Sequence, residues 1–286
     1  MRIKKEVRKI VASVLAFLMV VSLIPVNSLM TKANAASKTT FEGGKTVEDG
    51  TWKGWTWNVF GSSTDVTKAS ATDTGNGGVT LEVTGDKGKI NGSASDQGLN
   101  TFLYELDKSY DFTITAQAKI DTLATNEQAA FGLTIRDNVG THGNTTKLTA
   151  DKNNFAFVGG YGNKDNNADE TTNHGNAGYK TTKLKHTRLG KSPAVGGTYD
   201  LAIQKVGDSV KLYFNGEVVA ECSAEDLITD NTMYVGLFAA RNAKVTFNNV
   251  KLSYTSDSKS VAITDVTIPK KTTYCAGNTY EDVNRI

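Results

Sequence analysis

Between residues 41 and 254 the apolar side chains recur at every second position in short runs, separated by clusters of Gly, Asn, Asp and Ser. A period of two sets one face of a β-strand against a core and the other toward water. The clearest run is Phe112, Ile114, Ala116, Ala118 and Ile120, alternating with Thr113, Thr115, Gln117 and Lys119. Val79, Leu81 and Val83 share a face, as do Tyr199, Leu201 and Ile203. Val210, Leu212 and Phe214 alternate with Lys211 and Tyr213 and run into Asn215-Gly216. That dipeptide accommodates the two left-handed residues of a tight hairpin turn. Two stretches, Ala130 to Ile135 and Tyr234 to Ala240, are nearly unbroken apolar runs. Alternation then resumes at Val245 and Phe247 and, after a shift, at Val250 and Leu252.

No long apolar pattern of helical period is present, and the whole chain holds three prolines. The pattern predicts an all-β fold, an antiparallel sandwich of two packed sheets, and the closing run from Val210 to Leu252 resembles the last strands of a concanavalin A-like jelly roll. Phe112, Ile114, Leu133, Ile135, Leu212, Phe214, Val235, Leu237 and Phe247 are the expected core of the sandwich. Residues 162–178 contain no large apolar side chain and are expected to form a long surface loop. There is no internal repeat, which counts against a parallel β-helix.

Residues 1–35 read as an export signal. Arg2, Lys4, Lys5, Arg8 and Lys9 form a basic start, Ile10 to Ile24 is apolar, and Ala33-Asn34-Ala35 is a cleavage site. The apolar stretch is shorter than the roughly 18–20 residues of a spanning helix, so no membrane insertion is expected after cleavage. The signal is of Gram-positive type, and the expected location is extracellular, either secreted or at the cell surface. Its removal takes away Arg2, Lys4, Lys5, Arg8, Lys9, Lys32 and Glu6, which moves the formal charge from +2 to −3. Without a basic field, nucleic acid is not an expected partner.

At the other end, Ile263, Val266, Ile268, Pro269, Lys271, Tyr274 and Gly277 carry a pattern that resembles the opening of a bacterial Ig-like domain. About two strands of that seven-stranded fold are present. The expected organisation is therefore a signal peptide at 1–35, a sandwich at 36–257 and an incomplete Ig-like domain at 258–286, with further domains C-terminal to it. Cys222 and Cys275 are read as unpaired thiols, although export would permit their oxidation.

Candidate chemistry is sparse. Trp52, Trp55 and Trp57 crowd six residues. Indole faces stack on sugar rings, so Trp55 is a candidate platform, with burial in the core as the alternative. Arg136 and Arg241 each end an apolar strand and could grip the carboxylate of an acidic sugar, or pair internally with Asp137. Asp165, Asp169 and Glu170 cluster oxygen ligands suited to Ca²⁺, but without the glycine and spacing of an EF-hand. Ca²⁺ is the one cofactor to consider, and an Asn/Asp-rich surface loop without metal is the alternative. Glu105 and Asp107 begin an E-x-D-x-x-E pattern whose last position is Tyr110, so the second carboxylate of a retaining glycosidase is missing. His142, His174 and His186 are isolated, with no nucleophile beside them.

Taken together, Gly54-Trp-Thr-Trp-Asn-Val-Phe-Gly, Gly88-Lys-Ile, Phe131-Gly-Leu-Thr-Ile-Arg-Asp and the run from Tyr234 to Phe247 resemble one family. It is the N-terminal concanavalin A-like (laminin G-like) jelly-roll module of clostridial secreted pectate lyases and related multidomain carbohydrate proteins. In those proteins Ig-like domains and a separate catalytic β-helix follow the module. The resemblance implies a non-catalytic carbohydrate-associated module whose partner is a plant or microbial polysaccharide, with pectin the first candidate. Two alternatives stay open. One is a surface adhesin or structural spacer, and the other is part of an active pectate lyase.

Overall fold

The computed structural model describes residues 38–61, 64–90, 97–124, 128–146, 153–164, 171–181, 184–189, 193–255, 271–274 and 278–281. Residues 36–260 form one compact unit. In it, two seven-stranded antiparallel sheets face each other. Numbered in chain order, the first sheet runs β1 (Trp55–Phe60), β4 (Leu99–Asp107), β13 (Thr232–Ala240), β6 (Ala130–Arg136), β7 (Phe155–Lys164), β8 (Thr171–Lys180) and β9 (Leu184–Leu189). The second runs β12 (Glu217–Ser223), β11 (Ser209–Phe214), β10 (Thr198–Val206), β5 (Asp111–Leu123), β14 (Ala243–Thr255), β3 (Val79–Val83) and β2 (Ala69–Asp73). Consecutive strands often lie in opposite sheets, which is the jelly-roll way of winding a sandwich. A one-turn helix, α1 (Ala224–Leu227), follows β12, with the Ser223 hydroxyl accepting from the Asp226 backbone. The second unit contains a short antiparallel ribbon, β15 (Lys271–Tyr274) with β16 (Asn278–Glu281).

The alternation along β5 becomes a buried inner face, and all nine expected core residues are at most 4% exposed. The unbroken runs have a different cause. Every residue of β6 is buried, because the first sheet is covered on both faces. Beyond the core between the sheets, Phe60, Leu99, Phe157 and Phe238 pack on its outer face together with Ile90 and Val139 from the loops after β3 and β6. The chain after β6 is laid across β1. Asn58 donates to the Gly140 carbonyl (2.6 Å), the Val59 N–H donates to His142 Nδ1 (3.2 Å) and the Gly143 N–H donates to the Val59 carbonyl (2.9 Å). Gly132 and Gly159 face each other on β6 and β7 with φ of 152° and 157°. A Cβ at either would fall on a backbone oxygen of the partner strand, so only glycine fits.

The expected surface loop at 162–178 is a hairpin instead. β7 continues to Lys164 and β8 begins at Thr171, with Lys164 opposite Thr171 and Gly162 opposite Asn173. Backbone pairing with a neighbouring strand needs no apolar side chain, so periodicity could not reveal it. The expected calcium ligands Asp165, Asp169 and Glu170 lie outside the described residues, as do residues 1–37 and Cys275.

Candidate functional site

The outward face of the second sheet carries a cavity of about 710 Å³ across β11, β10, β5 and β14. Its composition follows from alternation. With Ile114 and Ala116 turned inward, Thr113, Thr115 and Gln117 turn out, and Asp200, Ala202 and Gln204 do the same on β10. Register then sets them in rows. Tyr213 lies opposite Ala202, Ala202 opposite Thr115, and Thr115 opposite Lys251. At about 4.8 Å per strand, the row sets an aromatic and a cation roughly 14 Å apart at the backbone. The two small residues between them leave the floor open.

The flanking rows are tied by hydrogen bonds. Gln117 donates to Asp200 (2.9 Å) and accepts from Asn249 (2.8 Å). The Tyr213 hydroxyl donates to Gln204 (3.2 Å), whose amide lies 3.4 Å from the Thr113 hydroxyl. Asn249 reaches the groove because β14 shifts register between Asn248 and Lys251, with Asn249 left-handed at φ 51°. Bulges re-aim side chains in this manner, and Asn tolerates the conformation. The result is a set of amides, hydroxyls and one carboxylate held in place beside a tyrosine ring and a lysine. Such a surface can satisfy the hydroxyls of a saccharide and offer its apolar ring face a partner.

The residues singled out from sequence lie elsewhere. Trp55 is 6% exposed and stacks on Phe102 at 5.2 Å, with Trp52 edge-on at 5.7 Å. An indole enclosed in this way presents no face to a sugar, so the expected platform is corrected to a core residue. Trp57 is also buried, and its indole N–H donates to Asn100 (2.7 Å). Arg136 is fully enclosed. Nη2 donates to Asn153 (2.9 Å), Nε donates to the Asn138 carbonyl (3.2 Å), and the guanidinium lies over Phe60 and Phe155 at 5.5 and 5.0 Å. It pins the loop after β6 and cannot reach a ligand from there, so its assignment to sugar binding is corrected too. Burial lowers its pKa to about 10, against the pull of Asp137. Arg241 is half-buried in the turn between β13 and β14, where it lines a separate cavity.

Glu105 and Asp107 are exposed, and Asp107 accepts from the backbone and hydroxyl of Ser109. His142 is taken up by Val59 and packs edge-on to Trp57 at 5.0 Å, and desolvation lowers its pKa. Burial, with Asp208, Glu221 and Asp226 nearby, pushes the Cys222 thiol up to about 12, which makes it a poor nucleophile. Among the described residues, no three of His, Cys, Asp and Glu group closely enough to hold a metal.

Fold and groove together define a β-sandwich module with an open polar face. The chain belongs to the family of the pectate disaccharide-lyase N-terminal domain, whose model matches residues 59–257. It is 30% identical over 223 residues to "Pectate lyase L" of Thermoclostridium stercorarium, an alignment that covers 77% of this chain and 16% of that protein. Among solved structures, it is similar to the carbohydrate binding module CBM66 of Bacillus subtilis, with 15% identity, 74% and 99% coverage and a TM-score of 0.40. It is also similar to lectin UEA-II complexed with galactose, with 10% identity, 76% and 98% coverage and a TM-score of 0.44.

Proposed function

We propose that this module is an extracellular, non-catalytic binding unit that holds a plant-wall polysaccharide, pectin first, for a lyase carried on the same longer protein. The carrying observation is the row Tyr213, Ala202, Thr115, Lys251 across four strands, flanked by the hydrogen-bonded Gln117, Asp200 and Gln204. A sugar ring on Tyr213 would gain stacking, and Lys251 lies where a uronate carboxylate three strands away could meet it. The export signal at residues 1–35 and a family named for a pectate-degrading enzyme support an extracellular pectin setting.

Stacking with one charge-assisted bond gives weak binding, with Kd on the order of 10⁻³–10⁻⁴ M, about 4–5.5 kcal/mol. Affinity electrophoresis of residues 36–286 in pectin and neutral glucan gels tests this. Retardation of the wild type in pectin, lost in Tyr213→Ala, supports the reading. Equal migration of both proteins in every gel removes it in favour of a spacer.

A further inference from the structure

The charged groups among the described lining residues of the groove are Asp200 and Lys251. Lys251, at the β14 end of the row, is exposed and makes neither a hydrogen bond nor an ion pair with any described residue. Asp200 is on β10, two residues from Ala202 and on the same face. The Asn215-Gly216 turn clamps its backbone. The Asp200 N–H donates to the Asn215 side chain (3.0 Å), and the Asn215 N–H donates to the Asp200 carbonyl (2.7 Å). Asp200 Oδ1 accepts from Gln117 (2.9 Å), whose own amide oxygen accepts from Asn249 (2.8 Å), so the Gln117 amide is fixed in orientation. Asp200 Oδ2 accepts from no described residue.

The two charges stand apart. Two strand spacings and two residues separate Asp200 from Lys251, roughly 12 Å at the backbone. Asp200 is nearer the aromatic end, one spacing and two residues from Tyr213, or roughly 8 Å. Beyond the groove the neighbouring charges are balanced. Lys211 stands opposite Glu221 across β11 and β12, and Lys119 lies 3.6 Å from Asp121.

These positions place different demands on the sugars of one chain. An ionised carboxylate only accepts hydrogen bonds, so Asp200 requires a donor from its ligand. A sugar hydroxyl supplies one, and a uronate carboxylate does not. A carboxylate on the sugar over Tyr213 would also stand within about 8 Å of Asp200, the screening length at physiological salt, where like charges still repel. The unpaired Lys251 demands the opposite, an anionic partner.

We propose that the groove selects a charge pattern, with a free uronate against Lys251 and an uncharged sugar over Tyr213 and Asp200. The ligand is then a mixed polymer and not a fully ionised polygalacturonate. A partly methyl-esterified galacturonan has this chemistry, and so has a backbone in which uronate alternates with a neutral sugar. The inference rests on the groove being the binding face proposed above, and adds which polymer it takes.

The test is titration of ¹⁵N-labelled residues 36–286 at low salt, read in the amides of Thr115, Gln117, Asp200, Ala202 and Tyr213. The probes are fully ionised tetragalacturonate, partly methyl-esterified tetragalacturonate, a rhamnose–galacturonate tetramer and neutral galactotetraose. At least one mixed probe should bind about five-fold or more tighter than the fully ionised one, with the difference shrinking as salt rises. The mixed probe that binds more tightly names the source. Asp200→Asn keeps an acceptor for Gln117 and removes the charge, so it should tighten the fully ionised probe and bring the ratio toward one. Lys251→Gln should weaken the mixed probes to the level of galactotetraose. Both positions are exposed, so both variants should melt as wild type does, and a changed affinity would not reflect unfolding. Equal or tighter binding of the fully ionised probe overturns the charge pattern while leaving the groove a binding face. So does a ratio unchanged in Asp200→Asn. Silence of these amides toward every probe removes the binding face itself, and the pattern with it.

Discussion

Arg136 and Asp137 show how neighbours in sequence divide their work. The guanidinium is the centre of a buried cluster with Asn153, the Asn138 carbonyl and two phenylalanine rings. Truncation would leave those groups unpaired and open a void, so Arg136→Ala should destabilise by about 3–5 kcal/mol in urea unfolding. Asp137 accepts from the Asn154 backbone (3.0 Å), yet burial outweighs that bond and the pull of Arg136 and lifts its pKa from 3.8 to about 6. A carboxyl with a higher pKa folded than unfolded keeps protons that the unfolded chain releases. Its stabilising contribution is therefore complete below about pH 3.8 and is lost as pH rises through about 6. Asp137→Asn keeps an acceptor for Asn154 and removes the titration. Its stability relative to wild type should rise by about 1–2 kcal/mol between pH 4 and pH 8, read from paired unfolding curves.

At the scale of elements, β11 and β14 carry both core and groove. Phe214 on β11 is 4% exposed, and Phe214→Ala should cost about 3–5 kcal/mol. The preceding residue on the same strand, Tyr213, faces the groove, so Tyr213→Ala should cost binding far more than stability. In β14 the register shift gives Asn249 to Gln117. Asn249→Gly retains the left-handed backbone and removes the amide. Stability within about 0.5 kcal/mol of wild type, with weaker pectin retardation, is the expected outcome. Much at this scale was legible in advance. The alternation in β5 and β11 and the Asn215-Gly216 turn predicted strands, core faces and a hairpin that the structure contains. The β7–β8 hairpin was not legible, because residues 162–178 hold no large apolar side chain to mark a strand, and backbone pairing leaves no trace in periodicity.

For the whole molecule, the matched relative is far longer than this chain, which spans 16% of it. On the reading proposed above, chemistry resides outside this module. Purified residues 36–286 should release no unsaturated uronide from polygalacturonan, with or without Ca²⁺. A steady absorbance rise abolished by one substitution in the module would refute this.

What the sequence determined by itself is the two-residue rhythm, and with it the all-β class, the inner faces and the family. These are local properties, since one strand's alternation already decides which of its side chains lie together. Only the tertiary structure decided where function can sit. Trp55 looked available because nothing local says that both faces of its sheet are covered, whereas the unbroken runs of β6 and β13 carried that information for the sheet they share. Tyr213, Ala202, Thr115 and Lys251 are spread over 137 positions of chain and become one row only through the order and register of four strands. Asp200 likewise comes beside Gln117 only through the pairing of β10 with β5. Strand order is set by non-local pairing and by burial summed over the whole sandwich, and no window of sequence contains it.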